Sequence, residues 1–164
     1  MNIYITGNRV QDLGGFQENL LQGSIKKQIV STLKKHKKED PTTLITTLSL
    51  GIEQWAAEAA IQCKIPFHVY IPCKGFETKW IKYSQLHYKK LLKLSEKIIK
   101  ISDAPWSIQG MKLKDERIIK DVDIIYTFAN QYLPINTLAR KAKKEKINLL
   151  EKIPAEQDDY FIII

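Results

Sequence analysis

Two short segments concentrate the residue types that ligand chemistry needs. The first is Thr6-Gly7-Asn8-Arg9, followed closely by Leu13-Gly14-Gly15-Phe16. Glycine admits positive φ and close backbone approach, while arginine presents a planar fork to a phosphate or carboxylate. The second runs from Ser49-Leu50-Gly51 directly into Ile52-Glu53-Gln54-Trp55-Ala56-Ala57-Glu58. A helix starting there would offer unpaired N–H groups and the positive end of its dipole, a combination suited to an anion. Glu53 and Glu58 are the carboxylates near that junction, and either is a candidate general acid or base. Each residue also has a plainer role. Arg9 can be a solvated loop cation, Glu53 can simply favour the first turn of its helix, and Trp55 can be core packing rather than a stacking platform.

Positioning these segments falls to elements that the hydrophobic pattern predicts. Short β-branched runs at residues 2–6, 43–48, 67–71, 97–101, 123–128 and 147–150 read as strands. Helical periodicity fills 23–38, 51–63, 77–94, 112–120 and 135–145, punctuated by Asp40-Pro41, Pro66 and Pro72. This alternation predicts βαβ units, hence a single Rossmann-like three-layer α/β/α domain with a mainly parallel sheet over residues 1–152. Residues 153–164 are expected to be a tail whose apolar tip, Tyr160 to Ile164, adds an edge strand or docks on a partner. In such a sheet ligands bind beyond the carboxyl ends of the strands, where both segments fall.

Composition narrows the classes. A chain of 164 residues with 44% hydrophobic and 27% charged residues suits one globular domain. No apolar run approaches the ~20 residues that span a bilayer, so a cytoplasmic protein without membrane association is expected. Cys63 and Cys73 lack a CxxC spacing, and His36, His68 and His87 stand alone, so neither a metal nor a cofactor is implied. The net charge of +8 comes from 26 basic against 18 acidic residues. Only Arg9, Arg117 and Arg140 are arginines, and the lysines recur along helical stretches, notably Lys34 to Lys38 and Lys141 to Lys146. Solvated helix faces account for that charge more simply than a nucleic-acid groove does.

The stretches TGNRVQDLGGF and TTLSLGIEQWAAEAA resemble the two signature motifs of the SLOG superfamily, specifically its YpsA-like branch. Thr6, Gly7, Arg9, Leu13, Gly14, Gly15 and Phe16 match the first motif. Leu50, Gly51, Gln54, Trp55, Ala56, Ala57 and Glu58 match the second, with Glu53 where the branch usually has aspartate. Trp80, Tyr88, Ser102, Trp106, Met111 and Asp123 extend the similarity, which covers residues 1 to 150. The resemblance implies a Rossmann-like domain related to phosphoribohydrolases and to the DNA-processing protein DprA, with relatives that bind nucleotide-derived signals and commonly self-associate.

The chain departs from that pattern after its fifth strand. Where the family carries a GGT loop before an Asn-Thr pair, this sequence reads Leu133-Pro134-Ile135-Asn136-Thr137, without glycine. An expected Arg-Asn pair appears as Lys114-Asp115, and lysine does not reproduce the planar fork of arginine. No glutamate follows Asn136 at the position that cleaves N-glycosidic bonds in the phosphoribohydrolases. The expected ligand contacts are therefore Thr6, Gly7, Asn8, Arg9, Gly14, Gly15, Phe16, Leu50, Gly51, Glu53, Gln54 and Trp55, with Asn130, Asn136 and Thr137 from the altered half. The expected function is binding of a nucleotide-derived small molecule, such as an ADP-ribose-like, NAD-derived or cyclic-nucleotide signal, by a homo-oligomeric sensor or sequestering protein. The alternatives are a nucleotide hydrolase using Glu53 or Glu58, and a single-stranded DNA binder.

Overall fold

The computed structural model describes residues 1–13 and 19–153. Its strands are β1 (Asn2–Gly7), β2 (Thr43–Thr46), β3 (Phe67–Ile71), β4 (Lys97–Lys100), β5 (Ile124–Phe128) and β6 (Glu145–Asn148). Its helices are α1 (Leu20–Glu39), α2 (Ile52–Gln62), α3 (Lys82–Leu94), α4 (Ile108–Asp121) and α5 (Pro134–Lys141). Among the described residues the strands form one sheet in the order β4-β3-β2-β1-β5-β6, and every pairing is parallel. The expected α/β Rossmann-like architecture is therefore present, with a sheet that is parallel throughout rather than mainly so.

Strand order reverses beside β1. Its inner edge pairs with β2 from Asn2↔Thr43 to Tyr4↔Ile45, and its other edge pairs with β5 from Ile3↔Ile124 to Gly7↔Phe128. Successive strand residues point to opposite faces, so β1 supplies two cores at once. Ile3 and Ile5 pack with Ile25, Ile29 and Leu33 of α1 and the alanines of α2. Tyr4 packs with Ile118 and Ile119 of α4 and Ile135 of α5. Burying each of these side chains contributes about 1.5–3 kcal/mol. The edge strands β4 and β6 are mostly exposed and carry Lys97, Lys100, Glu145 and Lys146, charges that discourage further strand addition.

Differences from the sequence expectation lie at element ends. Helix α1 begins three residues earlier than expected because Asn19 caps it, its side chain accepting from the Gln22 N–H at 2.9 Å. Ser107 likewise starts α4 ahead of the expected residue 112, accepting from the Gly110 N–H at 2.9 Å. Helix α3 starts at Lys82 rather than 77, since Gly75 has φ +69° and Thr78 folds back onto its carbonyl. Helix α5 stops at Lys141, with Lys143 at φ 55°, and Glu145 and Lys146 join β6 instead. The tip Tyr160 to Ile164 lies outside the described residues.

Candidate functional site

Strand order reverses between β1 and β5, the position whose crevice beyond the strand ends receives ligands in open parallel sheets. The loops after both strands meet there through Asn8 and Asn130. Gly7 ends β1 there under tight constraint. A Cβ on Gly7 would lie 2.4 Å from the Phe128 carbonyl oxygen and 2.5 Å from Ile52 Cδ1. Glycine is thus what lets the start of α2 close onto the β1–β5 seam. Asn8 follows, buried, its backbone N–H donating to the Phe128 carbonyl at 3.0 Å and its side-chain amide to Asn130 Oδ1 at 2.6 Å. Arg9 is turned outward, 79% exposed, with Nε 3.5 Å from Asp12. Such a surface pair contributes ~0–1 kcal/mol.

The loop from β2 to α2 is conformationally unusual. Leu48 is fully buried yet has φ 59°, and Gly51 has φ 93° immediately before α2. A non-glycine residue in the left-handed region costs about 1–2 kcal/mol and persists only where surrounding contacts enforce it. Here the enforcing contacts are visible. The Leu48 N–H donates to Thr46 Oγ1 at 3.0 Å, and the buried Gln54 amide donates to the Leu48 carbonyl at 3.0 Å. Gly51 provides no side chain to cap α2, so the helix's amino end carries no side-chain cap.

Glu53 lies in the first turn of α2 and is 6% exposed. Its Oε1 accepts from the Thr47 N–H and Thr47 Oγ1, both at 2.8 Å. Its Oε2 accepts from Tyr4 Oη at 3.1 Å and Thr6 Oγ1 at 3.2 Å. Four donors match the lone-pair capacity of a carboxyl group, and they tie β1, the β2–α2 loop and α2 together. Burial, and after it the nearby Glu53, hold the Tyr4 hydroxyl well above its ordinary pKa, with Asp115 adding to the effect. Tyr4 is accordingly a donor that stays protonated.

A hollow of about 260 Å³ opens where α2 starts, lined by Gly51, Gln54, Trp55 and Glu58, by Lys26 of α1 and by His87 of α3. The Lys26 ammonium sits 5.3 Å from the Trp55 ring centroid, a cation–π distance. Glu58 Oε1 lies 2.7 Å from His87 Nε2, so the rim pairs an acid with an imidazole. On the opposite side of the sheet, Lys114 Nζ and Asp115 Oδ1 lie 2.7 Å apart, both largely shielded. In the first turn of α5 the Asn136 side-chain oxygen is buried without a partner among the described residues, and Thr137 follows it half-buried.

The sequence-derived site residues therefore divide. Leu50, Gly51, Gln54, Trp55 and Glu58 converge on one hollow. Thr6 and Glu53 join a buried network, and Asn8 and Asn130 bridge the crevice. Gly14, Gly15 and Phe16 lie outside the described residues. Sequence reasoning did not single out Lys26 or His87, which sit on polar helix faces, nor Tyr4, which reads as an ordinary strand residue. A wider groove of about 760 Å³, sharing Lys26 with the hollow, runs along α1 to Gln62 of α2 and is lined by Lys26, Lys27, Lys34, Lys35, Lys38 and Glu39. Among the described residues no helix is long and apolar enough to cross a membrane.

Comparison with known proteins agrees with this architecture. The YpsA family model, described as the YspA SLOG family, matches residues 3–154. A UPF0398 protein of Shouchella clausii is 28% identical over 150 residues, covering 84% of this chain and 79% of that protein. A UPF0398 protein of Brevibacillus brevis is 26% identical over 158 residues, covering 89% and 82% respectively. Among solved structures, DNA processing protein A from Helicobacter pylori, described for its single-stranded DNA binding mode, superposes with a TM-score of 0.62 at 14% identity. It covers 93% of this chain and 72% of that one, a likeness of fold.

Proposed function

This chain belongs to the YspA SLOG family, and from that premise we propose that it binds a nucleotide-derived small molecule, as a sensor or sequestering protein, at the amino end of α2. The observation that carries the reading is the convergence of Gly51, Trp55, Lys26 and His87 on one hollow. The helix amino end and Lys26 suit a phosphate, while the Trp55 ring suits a base or ribose face. A volume of about 260 Å³ is roughly that of nine waters, which suits one part of a nucleotide, its phosphate or its base, with the remainder extending out of the hollow.

Binding is favoured over hydrolysis because the Glu53 carboxyl already accepts from four protein donors, leaving no free position for a reacting water. Calorimetric titration with ADP-ribose, NAD, cyclic ADP-ribose isomers and nucleoside monophosphates tests the reading. Saturable binding weakened about tenfold or more in Trp55→Ala supports it, and no binding to any of them removes it. Product formation lost in Glu58→Gln would assign a hydrolase instead.

One observation favours a second reading. Five lysines line the α1–α2 groove, and the structural neighbour from Helicobacter pylori binds single-stranded DNA. If this chain does likewise, affinity for an oligonucleotide falls steeply with salt, and the slope flattens in Lys34→Glu with Lys38→Glu.

A further inference from the structure

Building on the nucleotide reading of the hollow at the amino end of α2, we propose that this hollow and the lysine groove along α1 form one site. Its ligand is a nucleoside polyphosphate, with the nucleoside lodged at Trp55 and the phosphate chain laid along α1. The two cavities, of about 260 and 760 Å³, meet at Lys26, which lines both. The hollow alone has the volume of roughly nine waters, room for one part of a nucleotide. Whatever follows that part must leave the hollow.

Charge sets the way out. On the α3 side the rim is the Glu58 carboxylate, 2.7 Å from His87 Nε2, and a carboxylate turns an anion away. On the α1 side Lys26 holds its ammonium 5.3 Å from the Trp55 ring centroid, beside the nucleoside position and where the groove begins. A phosphate attached to the nucleoside is therefore drawn towards α1.

Beyond Lys26 the groove continues as a stripe on one face of α1. Lys27, Ser31, Lys34 and Lys38 recur at the four- and three-residue intervals that align side chains along a helix. All four are exposed, and they cover about 16 Å at the α-helical rise. None of the three lysines has an ion pair among the described residues. Lys34 and Lys38 stand four apart, a like-charge pair that weakens the helix bearing it. The helix dipole accounts for Lys38, in the last turn, but not for Lys27 or Lys34. A chain of phosphates meets these charges in succession, which a single phosphate does not. Among the described residues the groove's lining holds no aromatic side chain, so bases have no platform there. That favours a bare phosphate chain over a strand of nucleic acid.

The test titrates the full chain by calorimetry, in EDTA so that no divalent cation masks the phosphates. The ligands are the adenosine and guanosine 5′-mono-, tri- and tetraphosphates, inorganic tripolyphosphate and a short oligo(dA). In at least one base series affinity is expected to rise about tenfold or more from mono- to tetraphosphate, with a steeper salt dependence for the longer chain. In Lys34→Gln with Lys38→Gln, which alters only exposed side chains of α1, the ratio of those two affinities should fall to about threefold or less. Tripolyphosphate alone should bind about tenfold or more weakly than the nucleoside triphosphate. A flat series, a ratio unchanged in the lysine variant, or tripolyphosphate as tight as the triphosphate would each overturn the joint site. An oligo(dA) tighter than both tetraphosphates would also overturn it, by giving the groove to nucleic acid. A flat series that still includes monophosphate binding leaves the nucleotide reading of the hollow standing, whereas no binding of any nucleotide removes both.

Discussion

Asn8 and Asn130 meet side chain to side chain at 2.6 Å across the mouth of the β1–β5 crevice, joining residues that are 122 positions apart in the chain. The bond uses one amide donor of Asn8 and one acceptor of Asn130, which leaves each side chain further hydrogen-bonding capacity for a ligand. Asn8→Ala and Asn130→Ala should each cost about 1 kcal/mol of stability, while weakening any nucleotide ligand of the crevice by several-fold more than a change at exposed Arg9. Melting curves with and without ligand separate the two effects. Equal loss of ligand affinity from Arg9→Ala would place the contact on the outer loop instead.

Glu53→Gln replaces an all-acceptor group with one that also donates. The new NH2 must face either the Thr47 N–H and hydroxyl or the hydroxyls of Tyr4 and Thr6. We expect a loss of about 2–3 kcal/mol and a Tm lower by roughly 5–10 °C, measurable by calorimetry. A variant of wild-type stability would mean that Glu53 is not the brace its contacts indicate.

Gly7→Ala should be worse than its size suggests, because the added methyl meets the backbone oxygen of Phe128 as well as Ile52. Overpacking of this kind costs about 1–3 kcal/mol, and relief requires β1, β5 or α2 to move. Gly23→Ala is the control, since nothing lies within 4 Å of its Cβ position. That change on α1 should be neutral or stabilising by up to about 1 kcal/mol.

Two pH limits follow from side chains around β3. Burial acts to raise the Asp121 pKa, but hydrogen bonds from Tyr70 and Arg117 outweigh it and leave the group below its ordinary value. A depressed carboxyl stabilises the fold above its unfolded pKa near 4 and loses that contribution as pH falls through the folded value. Asp121→Asn should therefore flatten the acid limb of stability below about pH 4. Tyr4, Tyr70, Tyr88 and Tyr126 are all raised, with burial the leading cause in each. Raised phenols stabilise fully below about pH 10 and cease to do so as pH climbs beyond it. An ultraviolet titration should accordingly show a late tyrosine phase that coincides with unfolding, whereas a single phase at the ordinary value would contradict the burial.

The layout was legible in the sequence because hydrophobic period and proline placement act locally. What it hid was non-local or compositional. The run Lys141 to Lys146 is a good helix former, yet Glu145 and Lys146 extend a strand because β5 offers a free edge opposite Ile124 and Ile125, a tertiary gain that overrides propensity. Asn19 precedes Leu20-Leu21-Gln22-Gly23 and Ser107 precedes Ile108-Gln109-Gly110, and a glycine, a poor helix former, in each first turn masks the helix start. At the site, the motif from Leu50 to Glu58 was readable because it is contiguous. Lys26 and His87 reach it from other elements, and only the packing of the helices on the sheet brings them together.

The parallel order around β1 also has a consequence for assembly in time. Strands β1 to β4 follow one another outward from the middle of the sheet, so that half can build by successive short closures. β5 must instead return to β1 across some 120 residues, as the pairing of Ile3 with Ile124 requires, and closures of that span are entropically late. The β1–β5 seam is thus also the final suture of the fold. Amide hydrogens of β5 and β6 should exchange through a lower-energy opening than those of β2, and a ligand held across Asn8 and Asn130 should slow that opening in proportion to its affinity.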